Sequence, residues 1–82
     1  MSAPAIRLVE GLHLTATNRR HLASMLAQGL ARGATKALAY TLEPLPDCPN
    51  RWRYTIAKRE RDDWGRPQVR HCRGVIEAAA MA

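Results

Sequence analysis

Arginine is the residue type in this chain with the clearest chemical consequence, and most of it is gathered in one place. Between Arg51 and Arg73 eight cationic side chains (Arg51, Arg53, Lys58, Arg59, Arg61, Arg66, Arg70, Arg73) occur within twenty-three residues, opposed only by Glu60, Asp62 and Asp63. A guanidinium is a planar fork that grips phosphate or carboxylate through two parallel hydrogen bonds, whereas a lysine acts as a point charge. Of the thirteen cations eleven are Arg, and only Lys36 and Lys58 are Lys. An Arg and Ala bias is also what a GC-rich genome produces, but that origin leaves the clustering unexplained. The expected partner is a polyanion or an acidic protein surface.

Other chemistry finds little support. Ser2 and Ser24 are the only serines, and neither sits in a nucleophile elbow. Glu10, Glu43, Glu60 and Glu77 are scattered, and Asp62-Asp63 fall where a turn uses Asp for local hydrogen bonds. No paired general acid and base, P-loop or glycine-rich dinucleotide turn occurs, so a non-enzymatic protein without a cofactor is expected. His71-Cys72, Cys48 and His13 or His21 could in principle ligate zinc, but the repeated close-spaced ligand pair is missing. Adjacent strand residues also point to opposite faces, so no metal is expected, with Cys72 inward and His71 at the surface.

The chain has 82 residues and a formal net charge of +6, with 46% hydrophobic and 24% charged residues. That is one small domain spanning 1–82, with residues 1–4 and 78–82 expected to fray. Two cysteines make no disulfide framework, and no signal-like or membrane-spanning run appears, so a cytoplasmic protein with reduced thiols is expected.

Several elements must position the arginines. Ala5–Val9 reads as a short strand, Glu10-Gly11 as a turn, and Leu12–Thr15 as a second extended piece. Leu22, Met25, Leu26, Gly29, Leu30 and Gly33 recur at helical spacing, which predicts an amphipathic helix from Asn18 to Arg32, capped by Thr17 or Asn18 and stopped at Gly33. From Lys36 to Glu43 the period becomes two, a strand with Leu38, Tyr40 and Leu42 on its buried face. Pro44, Pro46 and Pro49 then predict a stiff loop from Glu43 to Asn50. Glu77 to Ala82 is helix-prone but short.

The Arg-rich segment reads as a β-hairpin whose turn sets its register. Asp62-Asp63-Trp64-Gly65 suits a type I turn closed by a left-handed glycine, a three-residue loop. Trp52 then lies opposite Ile76, Tyr54 opposite Gly74, and Ile56 opposite Cys72, all on the buried face. Arg53, Thr55, Ala57 and Arg59 lie opposite Val75, Arg73, His71 and Val69 on the other. A one-residue slip would bury Arg73 against Tyr54 at high cost. The expected fold is α+β: one amphipathic helix on an antiparallel meander of three strands, with one or two short N-terminal strands added.

This arrangement predicts a flat cationic plane of Arg53, Arg59 and Arg73 among small residues, with Arg61 and Arg66 flanking the turn and Arg51 and Arg70 at the margin. Trp64 is expected to fold back on the core or, with Arg61 and Arg66, to anchor a protein partner. With Trp52 and Tyr54 inward, backbone contact is favoured over base stacking. The expected function is a binding module for nucleic acid or a ribonucleoprotein complex. The alternative is a small inhibitor docking on an acidic patch of a protein or effector complex. In length and single-domain build the chain resembles compact phage and plasmid products, the anti-CRISPR inhibitors among them. A homodimer or larger assembly through an exposed strand edge is a third expectation.

Overall fold

The computed structural model describes residues 5–11 and 13–78. One helix, α1 (Ala16–Gln28), packs on one face of a five-stranded antiparallel sheet. The strands are β1 (Ile6–Gly11), β2 (Arg32–Ala34), β3 (Leu38–Pro44), β4 (Arg51–Arg61) and β5 (Pro67–Ala78), in the order β1-β5-β4-β3-β2.

The β4–β5 hairpin forms in the register that its turn chemistry predicts, with Trp52 opposite Ile76, Tyr54 opposite Gly74 and Arg59 opposite Val69. Asp62 accepts from the backbone N–H groups of Trp64 (2.9 Å) and Arg66 (2.8 Å), and Gly65 takes φ 75°. The side chain of the first turn residue thus satisfies the donors that the reversal exposes. β3 pairs along β4 from Leu38 opposite Lys58 to Pro44 opposite Trp52. It therefore runs one residue past the predicted strand end at Glu43, while residues 45–50 make the connection.

One face of the sheet carries Tyr40, Leu42, Tyr54, Ile56 and Ile76, all buried, against Leu22, Ala23 and Met25 of α1. His21 stacks on Tyr40 at 4.3 Å between ring centroids, and the Tyr40 hydroxyl donates to Asn18 Oδ1 at 3.0 Å. Burial pushes both the Tyr40 and the Tyr54 phenols above the ordinary tyrosine value. Gly74 of β5 is paired with Gly11 of β1 on one side and Tyr54 of β4 on the other. A Cβ there would collide with the Glu10 carbonyl oxygen and lie 2.6 Å from the Tyr54 hydroxyl.

Several expectations are corrected. The helix runs Ala16–Gln28 instead of Asn18 to Arg32. Its N-cap is Thr15, whose hydroxyl accepts from the Asn18 N–H at 3.1 Å, in place of Thr17 or Asn18. It stops at Gly29, φ 69°, where the Gly29 and Leu30 N–H groups bond back to Leu26 and Met25 carbonyls. Leu30 is thereby left exposed, and Arg32 and Gly33 enter β2, an edge strand that the helical spacing had hidden.

At the N-terminus Glu10-Gly11 is no turn. Both residues pair with β5, and the register shift between Leu8 and Glu10 marks a bulge. Residues 13–15 form no strand and Leu12 lies outside the described residues, although Leu14 is buried in the core. At the other end Glu77 and Ala78 belong to β5, opposite Arg7 and Ile6, so the expected helix is absent there and Ala78 is buried instead of frayed. Residues 79–82 and 1–4 lie outside the described residues. Among the described residues the sheet therefore has five strands, of which β3, β4 and β5 form the predicted meander and β1 the N-terminal addition.

Candidate partner-binding face

With α1 on one side, no element among the described residues covers the opposite side of the sheet, and strand alternation decides what this open side shows. The row through Thr41 and Thr55 is bounded by Arg32 on β2 and Arg73 on β5. The next row is Ala34, Ala39, Ala57 and His71, and beyond it Arg59 faces Val69. Toward the other end Glu43, Arg53 and Val75 share a row with Glu10, followed by Arg51, Glu77 and Arg7. Small side chains in the middle keep this surface low, so the guanidiniums at its borders stand clear of it.

Arg53 and Arg73 meet at a shallow hollow of about 520 Å³, whose rim also includes Glu10 and Val75. Arg59 lines a second hollow of about 270 Å³ with Ala37, Ala39, Ala57 and Val69. Both are open depressions suited to a broad contact.

The acidic residues sort the arginines into held and available groups. Glu77 sits between Arg7 (2.9 Å) and Arg51 (3.0 Å). The hydrogen bond from Arg51, then that from Arg7, holds its carboxyl below the usual carboxylate range, and the same bond raises Arg51. Arg51 is thus committed within the protein. Arg70 is bound to Glu60 at 2.8 Å, and Gln68 donates to the same carboxylate. Arg53 lies 4.0 Å from Glu43 with both side chains largely exposed, a pair too weak to sequester either. Arg61 donates to the Gly65 carbonyl oxygen at 2.8 Å. Arg59, Arg66 and Arg73 form no ion pair among the described residues.

The eight residues singled out from the sequence therefore do not form one surface. Arg53, Arg59 and Arg73 share the open face as expected, and Arg51 shares it but is engaged by Glu77. Arg70 pairs with Lys58 on the helix side of the hairpin, in a part that α1 does not reach. Arg61, Trp64 and Arg66 lie at the hairpin's end. Trp64 is 86% exposed, which corrects the expectation that it folds back. The reason is local: the helix-side surface below it presents Lys58, Glu60, Gln68 and Arg70, which offer an indole no apolar bed.

Arg32 is the residue that sequence reasoning missed. The signal was Gly29, an earlier helix stop than Gly33, which releases Arg32 into an extended segment. Among the described residues no cluster of three or more potential metal ligands occurs, and no helix is long and apolar enough to cross a membrane. Comparison with protein-family models, curated proteins and solved structures gave no match to this chain.

Proposed function

We propose that the protein is a non-enzymatic binding module whose open, arginine-bordered sheet face contacts nucleic acid or a nucleoprotein complex. The observation carrying this reading is the helix-free face, on which Arg32, Arg53, Arg59 and Arg73 surround a floor of alanine and threonine. A low floor with raised cationic borders suits a phosphate backbone laid across it. Contacts of that kind position a nucleic acid without reading its sequence.

A second reading has its own support. Trp64, at 86% exposure between Arg61 and Arg66, is the aromatic and arginine pairing that anchors protein interfaces, so a docking inhibitor with an acidic protein target is the rival. Titration of the protein against random duplex and single-stranded DNA at about 50 and 200 mM salt separates the two. Nucleic-acid binding weakens at least tens of fold across that range. Absence of binding at the lower salt removes the first reading and leaves the second.

A further inference from the structure

The far end of the β4–β5 hairpin projects beyond the rest of the fold. α1 covers β4 only as far as Ile56, and pairing with β3 ends at Lys58, one backbone bond from Arg59 to Ala37 aside. On the other edge β1 reaches only Gly74. From about Lys58 to Arg70 the chain is a two-stranded ribbon, and the molecule measures 49 Å along its longest axis against 26 and 19 Å across.

Charge on this ribbon is distributed over both of its faces. Arg59 and Arg61 lie on the side continuous with the open sheet face, Lys58 and Arg70 on the reverse, and Arg66 beside the turn. The acids in the same stretch are largely used internally: Glu60 holds Arg70 and Gln68, and Asp62 caps the turn, leaving Asp63 alone at the tip. A flat acidic protein surface could engage only one face of such a ribbon. A groove walled by phosphates on both sides engages both.

Dimensions select the groove. Paired strands lie about 4.8 Å apart. Side chains included, the ribbon suits the ~12 Å width of the B-DNA major groove, and the ~6 Å minor groove excludes it. The four residues from Lys58 to Arg61 give about 10 Å of strand before the turn, enough to reach a groove floor ~8.5 Å deep. The major groove of an RNA duplex is too narrow and deep for side chains to read.

We infer that residues 58–70 form an arm that enters the major groove of B-form DNA. There Lys58, Arg59 and Arg66 face the phosphate walls and Trp64 lies against base edges, while Arg53 and Arg73 rest on the flanking backbone. This rests on the nucleic-acid reading above and names its partner and its mode.

The test uses the full-length protein with a mixed-sequence DNA duplex, the RNA duplex of the same sequence, and the single strand. Guanine N7 methylation by dimethyl sulfate reports major-groove occupancy. The expected result is binding to the DNA duplex at least tenfold tighter than to either other probe, with reduced N7 methylation inside the bound segment. Lys58→Gln with Arg66→Gln, two exposed side chains that hold nothing in the fold, is expected to weaken DNA binding at least tenfold and restore N7 reactivity. Equal binding to DNA and RNA duplexes with unchanged N7 reactivity overturns the arm while leaving the basic face as the contact. Preference for the single strand overturns it likewise. No binding to any of the three probes overturns both.

Discussion

Replacing Arg59 and Arg73 together by Gln is the sharpest perturbation of the open face, because both are exposed and neither forms an ion pair among the described residues. Loss of either therefore leaves no buried acid unpaired, and Tm is expected to stay within about 4 °C of the parent. Binding is expected to change much more. The available guanidiniums on the face are Arg32, Arg53, Arg59 and Arg73, four in number. If each neutralises one phosphate of a duplex, the logarithm of the binding constant falls with the logarithm of salt at a slope of about −3.6. Between about 50 and 200 mM salt that is a weakening of roughly 150-fold.

Removing two of the four halves the slope to about −1.8 and cuts the weakening to roughly 12-fold. Fluorescence anisotropy of a labelled duplex, titrated at several salt concentrations, reads the slope directly and is insensitive to a uniform error in active protein concentration. The arm contacts that the variant retains, from Lys58 and Arg66, steepen both slopes equally, so the difference of about 1.8 between parent and variant is the diagnostic quantity. A variant with the parental slope refutes the assignment of these two side chains to phosphate, however tightly the protein binds.

Three expectations concern the fold itself. Gly74→Ala sets a methyl against the Glu10 carbonyl and the Tyr54 hydroxyl, closer than real contacts allow. A loss of about 2 kcal/mol is expected, seen as a Tm lowered by ~8–16 °C in thermal circular dichroism, and an unchanged Tm sinks the argument. Thr15→Ala removes the acceptor for the Asn18 N–H and is expected to cost ~1 kcal/mol in urea unfolding, with Thr15→Ser retaining parental stability. For Glu77 the folded carboxyl titrates below its unfolded value, so its contribution is present above the unfolded pKa and disappears as pH falls through the folded one. The Tm difference between the parent and Glu77→Gln should therefore be full at pH 7 and shrink progressively as pH falls below the ordinary glutamate value of about 4.3, and a difference that stays constant from pH 7 into that acid range refutes the ion-pair account.

How far the amino-acid order reveals this fold depends on how local the deciding interaction is. The hairpin register was legible because Asp62 and Gly65 specify the turn within four residues, and because alternation then placed Trp52, Tyr54 and Ile56 on one side. The helix end was not. Gly29 and Gly33 both suit a stop, and the choice falls on Gly29 because Leu42 bonds through its N–H to the Ala31 carbonyl and β3 recruits residues 32–34 as an edge. β5 continues through Ala78 for a similar reason. Residues 77 and 78 are helix-prone alone, but β1 on one side and the Asn50 carbonyl on the other supply partners that no local pattern announces.

The candidate site follows the same division. Which arginines face away from the core was decided by period-two alternation and could be read in advance. Which of them remain available was decided by acids distant in sequence. Glu77 takes Arg51 across the hairpin and Arg7 across the sheet, seventy residues away. Glu60, adjacent to Arg59 in the chain, points to the opposite face and takes Arg70 instead. Charge opposition counted along the sequence therefore misjudged both cases. A single 13-residue helix also cannot shield both faces of a five-stranded sheet. The uncovered face must be stable in water without a second layer, a condition that alanine, threonine and arginine satisfy and that larger apolar side chains would not. Solvation alone explains why this face is polar. It gives no reason for four available guanidiniums, Arg32, Arg53, Arg59 and Arg73, to outnumber the two available carboxylates, Glu10 and Glu43, on this face, and that cationic excess is the argument for a polyanion.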